Sequence, residues 1–279
     1  MIDIKTALTK AAEALSIESD SARLDAEVLL SHVLLKNRTY LYSHPEACLN
    51  EEQEQQFGHF VEQRLKGMPI AYLTGIREFW SLPLKVTKDT LIPRPETELL
   101  VELTLNLLAD KEQVQLLDLG TGSGAIALAC AMERPDWLIN ASDFSDQALI
   151  IAKENAAQHG LTNLSFHHSN WFETINPALQ FDAIVTNPPY IAIQDPHLDR
   201  GDVRFEPRLA LVSGQEGLDA IKHIIQHSLA RLRKGGLLLI EHGFDQKSAV
   251  RSMLKHHGYY NLKNYNDLQG NDRVSIGRK

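Results

Sequence analysis

Asn187-Pro188-Pro189-Tyr190 follows the apolar run Phe181-Asp182-Ala183-Ile184-Val185-Thr186, so an amide, a rigid turn and an aromatic ring stand at the end of what reads as a buried strand. Pro188 and Pro189 fix φ and remove two backbone donors, leaving carbonyl oxygens that no N–H of the pair can occupy. Two acceptors beside an aromatic face suit a planar NH2 group. An amide or aromatic amine attacks an electrophilic methyl only through a lone pair that is otherwise delocalised, and acceptors holding both N–H bonds would orient it. The plain structural alternative is a Pro-rich turn that ends a strand.

Upstream, Val114-Gln115-Leu116-Leu117-Asp118-Leu119 reads as a second buried strand running into Gly120-Thr121-Gly122-Ser123-Gly124 and then the small-residue helix Ala125-Ile126-Ala127-Leu128-Ala129. Glycines let the backbone turn tightly against a ligand that then faces the first helical amides. The spacing departs from the dinucleotide pattern G-x-G-x-x-G, and no Walker Lys-Ser/Thr follows. A third strand, Trp137-Leu138-Ile139-Asn140-Ala141-Ser142, ends at Asp143, 19 residues beyond Gly124. A carboxylate one crossover away can accept both hydroxyls of a ribose. Asp143 could instead cap a helix starting near Ser145, and Asp118 could be a buried, locally hydrogen-bonded acid. In an open parallel sheet ligands bind outside the carboxyl ends of strands, and all three features follow strand ends. Their convergence points to a nucleoside-cofactor enzyme with an amine-type substrate.

Asp118-Leu119-Gly120-Thr121-Gly122-Ser123-Gly124 together with Asn187-Pro188-Pro189-Tyr190 resembles the S-adenosylmethionine-dependent amino methyltransferases. Leu91-Ile92-Pro93-Arg94-Pro95-Glu96-Thr97-Glu98, Arg77-Glu78-Phe79-Trp80 and Gly201-Asp202-Val203-Arg204-Phe205-Glu206-Pro207 narrow the resemblance to the release factor glutamine methyltransferases, the PrmC/HemK family. The resemblance spans nearly the whole chain. It implies an α/β, Rossmann-like, seven-stranded S-adenosylmethionine-dependent domain with a small N-terminal helical domain. It also implies methyl transfer to the glutamine side chain of the Gly-Gly-Gln motif of class I peptide chain release factors. Carried over by position, the cofactor site falls on Gly120, Thr121, Gly122, Ser123, Gly124, Asp143, Asn170, Trp171 and Asn187. The catalytic residues are Asn187, Pro188 and Tyr190, and Asn187, Pro188, Pro189 and Tyr190 hold the substrate glutamine. Many family members carry an acid before the Trp-Phe pair, whereas this chain reads Ser169-Asn170-Trp171-Phe172. Asn170 offers an amide oxygen to an adenine amino group without charge assistance. Three rivals stand beside this reading: adenine amino methylation of nucleic acid, glutamine methylation of a ribosomal protein, and a catalytically silent cofactor-binding partner protein.

The elements that must position these residues follow from composition and pattern. A chain of 279 residues with 43% hydrophobic content can bury a substantial core. Residues 1–74 form a helical partner-docking domain on this reading: Ile4, Ala7, Leu8, Ala11 and Leu15 make one stripe, and Leu30, Val33 and Leu34 belong to another. Asn50 caps a further helix over 51–66 that carries Phe57, Phe60 and Val61 on its apolar face. A linking hairpin is expected over 75–93, and the methyltransferase domain over 94–279, with Pro95 in the first turn of a helix. Strands are predicted near 114–119, 138–142, 163–167, 181–186, 236–241, 259–265 and 272–277.

The formal charge of −8 opposes sequence-independent capture of nucleic acid phosphates, so no direct nucleic acid binding is expected. Arg200, Arg204 and Arg208 are interleaved with Asp199, Asp202 and Glu206, and local pairing is expected. Without an apolar run of about 18 residues or a secretory leader, a cytoplasmic monomer with no membrane contact is expected. Cys48 and Cys130 have neither zinc nor disulfide spacing and read as small buried hydrophobes. His223 and His227 lack the adjacent Glu of a zinc helix, and no metal site is expected.

Overall fold

The computed structural model describes residues 1–279 as two compact units, Met1–Ile76 with Asp199–Phe205 and Arg77–Leu198 with Glu206–Lys279. The first is helical: α1 (Ile4–Leu15), α2 (Ala22–Leu34), α3 (Arg38–Ser43), α4 (Glu51–Leu65) and α5 (Ile70–Thr74). Asp3 starts α1 by accepting Thr6 N at 2.7 Å, and Ile4, Ala7, Leu8, Ala11 and Leu15 are all buried. Asn50 and Gln53 form a reciprocal capping box at α4, and Phe57, Phe60 and Val61 pack into the same core.

Buried charge in this unit is fully engaged. Glu27, 1% exposed, accepts from Arg23, Arg38 and the Tyr42 hydroxyl. Arg64 donates to Asp25 at 2.8 Å and to Asp202 at 3.2 Å, while Arg204 donates to Lys66 O at 3.1 Å. Asp202 therefore pairs with a residue far away in sequence, not with the interleaved arginines. Cys48 also departs from expectation, because it is exposed. It lies in an extended segment bridged to Asp3, where Leu49 turns inward and its neighbour turns out.

Arg77, where the second unit begins, lies in a hairpin of β1 (Ile76–Phe79) and β2 (Leu82–Lys85), joined by Trp80 and Ser81 with φ of 51° and 59°. Those left-handed values suit the twist of a two-residue hairpin loop and are strained for side chains of this kind. Trp80 is held by two acids, its backbone N–H donating to Glu98 Oε1 and its indole N–H to Glu133 Oε1, each at 2.8 Å. Pro95 begins a short 3-10 turn that leads into α6 (Glu98–Leu107).

Then follow β3 (Gln115–Leu119), α7 (Ala125–Glu133), β4 (Leu138–Asp143), α8 (Asp146–Gln158), β5 (Leu164–His168), β6 (Phe181–Thr186), α9 (Asp219–Arg231), β7 (Leu232–Glu241), α10 (Lys247–His256), β8 (Tyr260–Asn266) and β9 (Asp272–Arg278). The seven-stranded sheet has the order β5-β4-β3-β6-β7-β9-β8. Its first five strands are parallel, and β9 runs antiparallel to both β7 and β8. Strand β6 is buried at every position because helices cover both faces, which explains its unbroken apolar run. The chain builds outward from β3 to β5 and then crosses to β6 on the other side of β3. A crevice therefore opens at the carboxyl ends of β3 and β6. No helix is long and apolar enough to cross a membrane.

Candidate active site

A cavity of about 530 Å³ lies at this crevice, lined by Gly120, Gly122, Asp143, Asn170, Trp171, Asn187 and Pro189, among others. They stand at or just past the carboxyl ends of four neighbouring parallel strands, β3, β4, β5 and β6, so the sheet fixes their spacing. Gly122 has φ of 58°, and a Cβ there would meet nothing within 4 Å. Its backbone is thus bare toward the cavity, as close approach by a ligand requires. Gly124 has a different job: a Cβ would lie 2.5 Å from Leu128 Cδ1 and 3.3 Å from Ala152 Cβ, so it lets α7 and α8 pack.

Asp143 fastens the glycine loop. Its Oδ2 accepts Gly122 N and its Oδ1 accepts Ser145 N, both at 2.8 Å, while Ser145 itself caps α8 by accepting Ala148 N at 3.2 Å. Each carboxylate oxygen retains a lone pair for a ligand hydroxyl. Burial raises the Asp143 carboxyl above its ordinary range, against these backbone hydrogen bonds. Beneath the loop, Asp118 accepts the Thr121 hydroxyl at 2.7 Å on one oxygen, and its other oxygen is buried without a partner. Burial pushes its carboxyl up to about 7.

Two further segments wall the cavity, one carrying Asp89, Thr90 and Leu91 and the other Pro207, Leu209 and Ala210. Glu206, 4% exposed, joins them by accepting Ile92 N at 3.0 Å and pairing with Arg94. Like Asp202, it therefore pairs outside its own segment. Asn170 Nδ2 donates to Glu173 Oε1 at 2.9 Å, which leaves its amide oxygen available as an acceptor.

The turn after β6 is held at three points. Asn187 Nδ2 donates to Thr97 Oγ1 at 3.0 Å, the Tyr190 hydroxyl donates to Glu241 Oε1 at 3.3 Å, and Gln246 Nε2 donates to Tyr190 O at 2.9 Å. With its NH2 committed to Thr97, Asn187 presents Oδ1 as its free acceptor. Thr121, Ser123, Gly124, Pro188 and Tyr190 are not among the cavity-lining residues. Thr121 binds Asp118, Ser123 O accepts Asn155 Nδ2 at 2.9 Å, and the Tyr190 ring packs on the core beside β6 and β7.

Over 278 residues the chain is 49% identical to the release factor glutamine methyltransferase of Aliivibrio fischeri, covering 99% of this chain and 98% of that protein. It is 47% identical to the enzyme of the same name from Coxiella burnetii over 279 residues, with 100% of both covered. The chain belongs to the release factor glutamine methyltransferase family. Family membership reaches both units: residues 6–75 match the PrmC N-terminal domain and residues 96–200 the methyltransferase small domain. The fold is also that of a solved methyltransferase from Pyrococcus furiosus, at 16% identity and a TM-score of 0.54, covering 78% of this chain and 96% of that one.

Thr97, Glu206, Glu241 and Gln246 escape a reading of the sequence by motif. Thr97 and Glu206 fall inside the segments that carry the family resemblance, but nothing in their spacing marks what they hold. Glu241 ends a strand and Gln246 precedes a helix, and only closure of the sheet brings them to the Asn187 turn.

Proposed function

We propose that this chain transfers a methyl group from S-adenosylmethionine to the side-chain amide nitrogen of the glutamine in the Gly-Gly-Gln motif of class I peptide chain release factors. The observation that carries the reading is the Asn187 side chain, whose NH2 is tied to Thr97 so that Oδ1 is free beside a cavity also lined by Gly122 and Asp143. An amide whose acceptor end is fixed suits an NH2 substrate better than a hydroxyl or a carbon acid.

S-adenosylmethionine would supply a sulfonium methyl: the glutamine nitrogen would bond to its carbon as the carbon–sulfur bond breaks, the thioether S-adenosylhomocysteine would leave, and the nitrogen would then shed one proton to solvent. The residues fit it: Gly122 leaves its backbone accessible, Asp143 keeps acceptor capacity for ribose hydroxyls, Asn170 offers an oxygen for an adenine amino group, and Trp171 supplies an apolar wall. Asn187 Oδ1 and the Pro188 carbonyl would accept the two N–H bonds of the substrate glutamine. Its lone pair would then stand perpendicular to the held plane, with Tyr190 against that plane and Pro189 lining the approach. Orientation supplies the rate, and no general base is required before attack.

Residues 1–74 are read as the docking domain for the release factor, 75–93 as the linking hairpin and 94–279 as the catalytic domain. The test is incubation with labelled cofactor and, separately, purified release factors, ribosomes and DNA, with the methylated residue located by mass spectrometry. Methyl on the Gly-Gly-Gln glutamine is the expected result. Methyl on a ribosomal protein or on adenine, with none on release factors, would replace the reading.

A further inference from the structure

We propose that Gln246 is a positioning residue for methyl transfer: its side-chain amide locks the Tyr190 carbonyl and so sets the Asn187–Tyr190 turn against the substrate glutamine. The inference rests on the reading of that turn as the holder of the glutamine side chain. Pro188 and Pro189 have no N–H, so the turn cannot be held by a backbone ladder and depends on side chains from its neighbours. Thr97 takes one end, accepting Asn187 Nδ2 at 3.0 Å. The other end is Tyr190, which is gripped twice: Glu241 Oε1 accepts its hydroxyl at 3.3 Å, and Gln246 Nε2 donates to its carbonyl at 2.9 Å.

Gln246 is 9% exposed and uses both ends of its amide. Its Oε1 accepts Gly243 N at 2.9 Å, which folds the turn after β7 and aims the side chain. Its Nε2 then reaches three carbonyls, Tyr190 O at 2.9 Å, Glu216 O at 3.3 Å and Gly217 O at 3.4 Å. The amide nitrogen has two protons to share among them, and Tyr190 O takes the shortest contact. The turn after β6, the loop before α9 and the turn after β7 thus meet at one NH2 group. The chain leaving Tyr190 is fastened to that same loop, with Ile191 N donating to Leu211 O, Ser213 N to Ile191 O and Ile193 N to Gly214 O, each at 2.9 Å.

Gly217 is a second, independent observation. Its φ is 72°, and a Cβ there would lie 2.1 Å from Tyr190 O and 2.8 Å from Gln246 Nε2. Only glycine lets the loop come this close. A donor and a close backbone approach therefore act on the same oxygen. Fixing that carbonyl fixes the peptide plane beyond Tyr190, and with both proline φ angles already set, little freedom remains at the Pro188 carbonyl that is proposed to accept from the glutamine. A misplacement of about 1 Å at such an acceptor slows a reaction by about 10²-fold without removing any group that touches the substrate. Gly122 and Asp143, proposed to hold the cofactor, follow β3 and β4 and take no part in this lock.

The experiment uses the full-length enzyme and a purified release factor, below the melting temperature of every variant. At saturating cofactor, kcat and KM for the factor are measured for the wild type, Gln246→Met, Gly217→Ala, Leu254→Ala and Asn187→Ala, together with cofactor Kd and thermal melting. Gln246→Met keeps the length of the side chain and removes its hydrogen bonds. Gly217→Ala leaves Gln246 in place and pushes on the same carbonyl. Both should lower kcat roughly 10- to 100-fold, with KM for the factor and cofactor Kd within about threefold of the wild type. Leu254, 1% exposed on α10, is the stability control: Leu254→Ala should lower the melting temperature and keep kcat.

Wild-type kcat in either folded variant, Gln246→Met or Gly217→Ala, overturns the inference. So does a kcat loss that Leu254→Ala matches, or one accompanied by an equal loss of cofactor affinity. If one of the two variants does not fold, the other decides by the same criteria. Full turnover by Asn187→Ala overturns the reading beneath this inference, whereas an inactive Asn187→Ala beside unaffected Gln246→Met and Gly217→Ala overturns this inference alone.

Discussion

Glu206 Oε2 accepts the backbone N–H of Ile92 at 3.0 Å across 114 positions of sequence, and the same carboxylate pairs with Arg94. Ile92 follows the Asp89 to Leu91 wall of the cavity, and Glu206 precedes the Pro207 to Ala210 wall, so one side chain holds the two together. Glu206→Ala should strand a buried N–H, costing about 1–3 kcal/mol, and weaken S-adenosylmethionine binding as the walls part. Calorimetry and thermal melting check it. A variant that loses stability with cofactor affinity intact would make Glu206 a purely structural tie.

Asn187→Ala should depress turnover on a full-length release factor by roughly 10²-fold or more while leaving cofactor affinity nearly unchanged. The lost acceptor matters most when the nitrogen lone pair is aligned for attack. Steady-state kinetics beside a binding titration separate the two effects. Wild-type turnover would remove Asn187 from the proposed site.

Asp143→Ala removes a charged acceptor that is proposed to bind ribose hydroxyls, each such hydrogen bond contributing about 1.5–3 kcal/mol before compensation. It also frees Gly122 N and Ser145 N, so the glycine loop should loosen with it. The expected result is a markedly higher Kd for S-adenosylmethionine. An unchanged Kd would confine Asp143 to fastening the loop.

Much of the sheet was legible because helices cover both faces of β3 and β6, and such strands must be apolar at nearly every position. The start of β7 was not, because Arg233, Lys234, Gly235 and Gly236 interrupt the apolar run that resumes at Leu237. The hairpin could be anticipated but not its turn, since Trp80 and Ser81 take left-handed φ values usually given to glycine or asparagine. The cavity-facing Gly122, Asp143 and Asn187 follow strand ends and could be found by topology alone. Thr97 and Glu241 could not: their partners, the Asn187 amide and the Tyr190 hydroxyl, are fixed only once the turn after β6 is seated beside α6 and β7. The membership of Asp199–Phe205 in the helical unit is equally silent in sequence, because it depends on Arg64 reaching Asp202.

Asp118 links the fold to pH. Its carboxyl is raised by burial from an ordinary value of 3.8 to about 7, so the folded state binds a proton more tightly than the unfolded chain does. The stability it contributes is complete below about 4 and is lost as pH rises through about 7. Asp118→Asn should therefore lose less stability than the wild type between pH 5 and 8, measured by thermal melting. An identical pH dependence in the two proteins would mean that the carboxyl stays ionised when buried.

If the helical unit docks the release factor, the enzyme should treat an intact factor and a free Gly-Gly-Gln peptide very differently. A second contact raises the effective concentration of the target loop, and such linkage can multiply binding by about 10²- to 10⁴-fold without altering the chemistry. The kcat/KM for the intact factor should exceed that for the peptide, mostly through KM, while cofactor affinity is common to both. Deleting residues 1–74 should abolish the difference, although that variant also loses Arg64, the partner of Asp202. Its cofactor affinity must therefore match the full chain's before the comparison is made. Equal efficiency of the intact enzyme on factor and peptide would rule out the docking role.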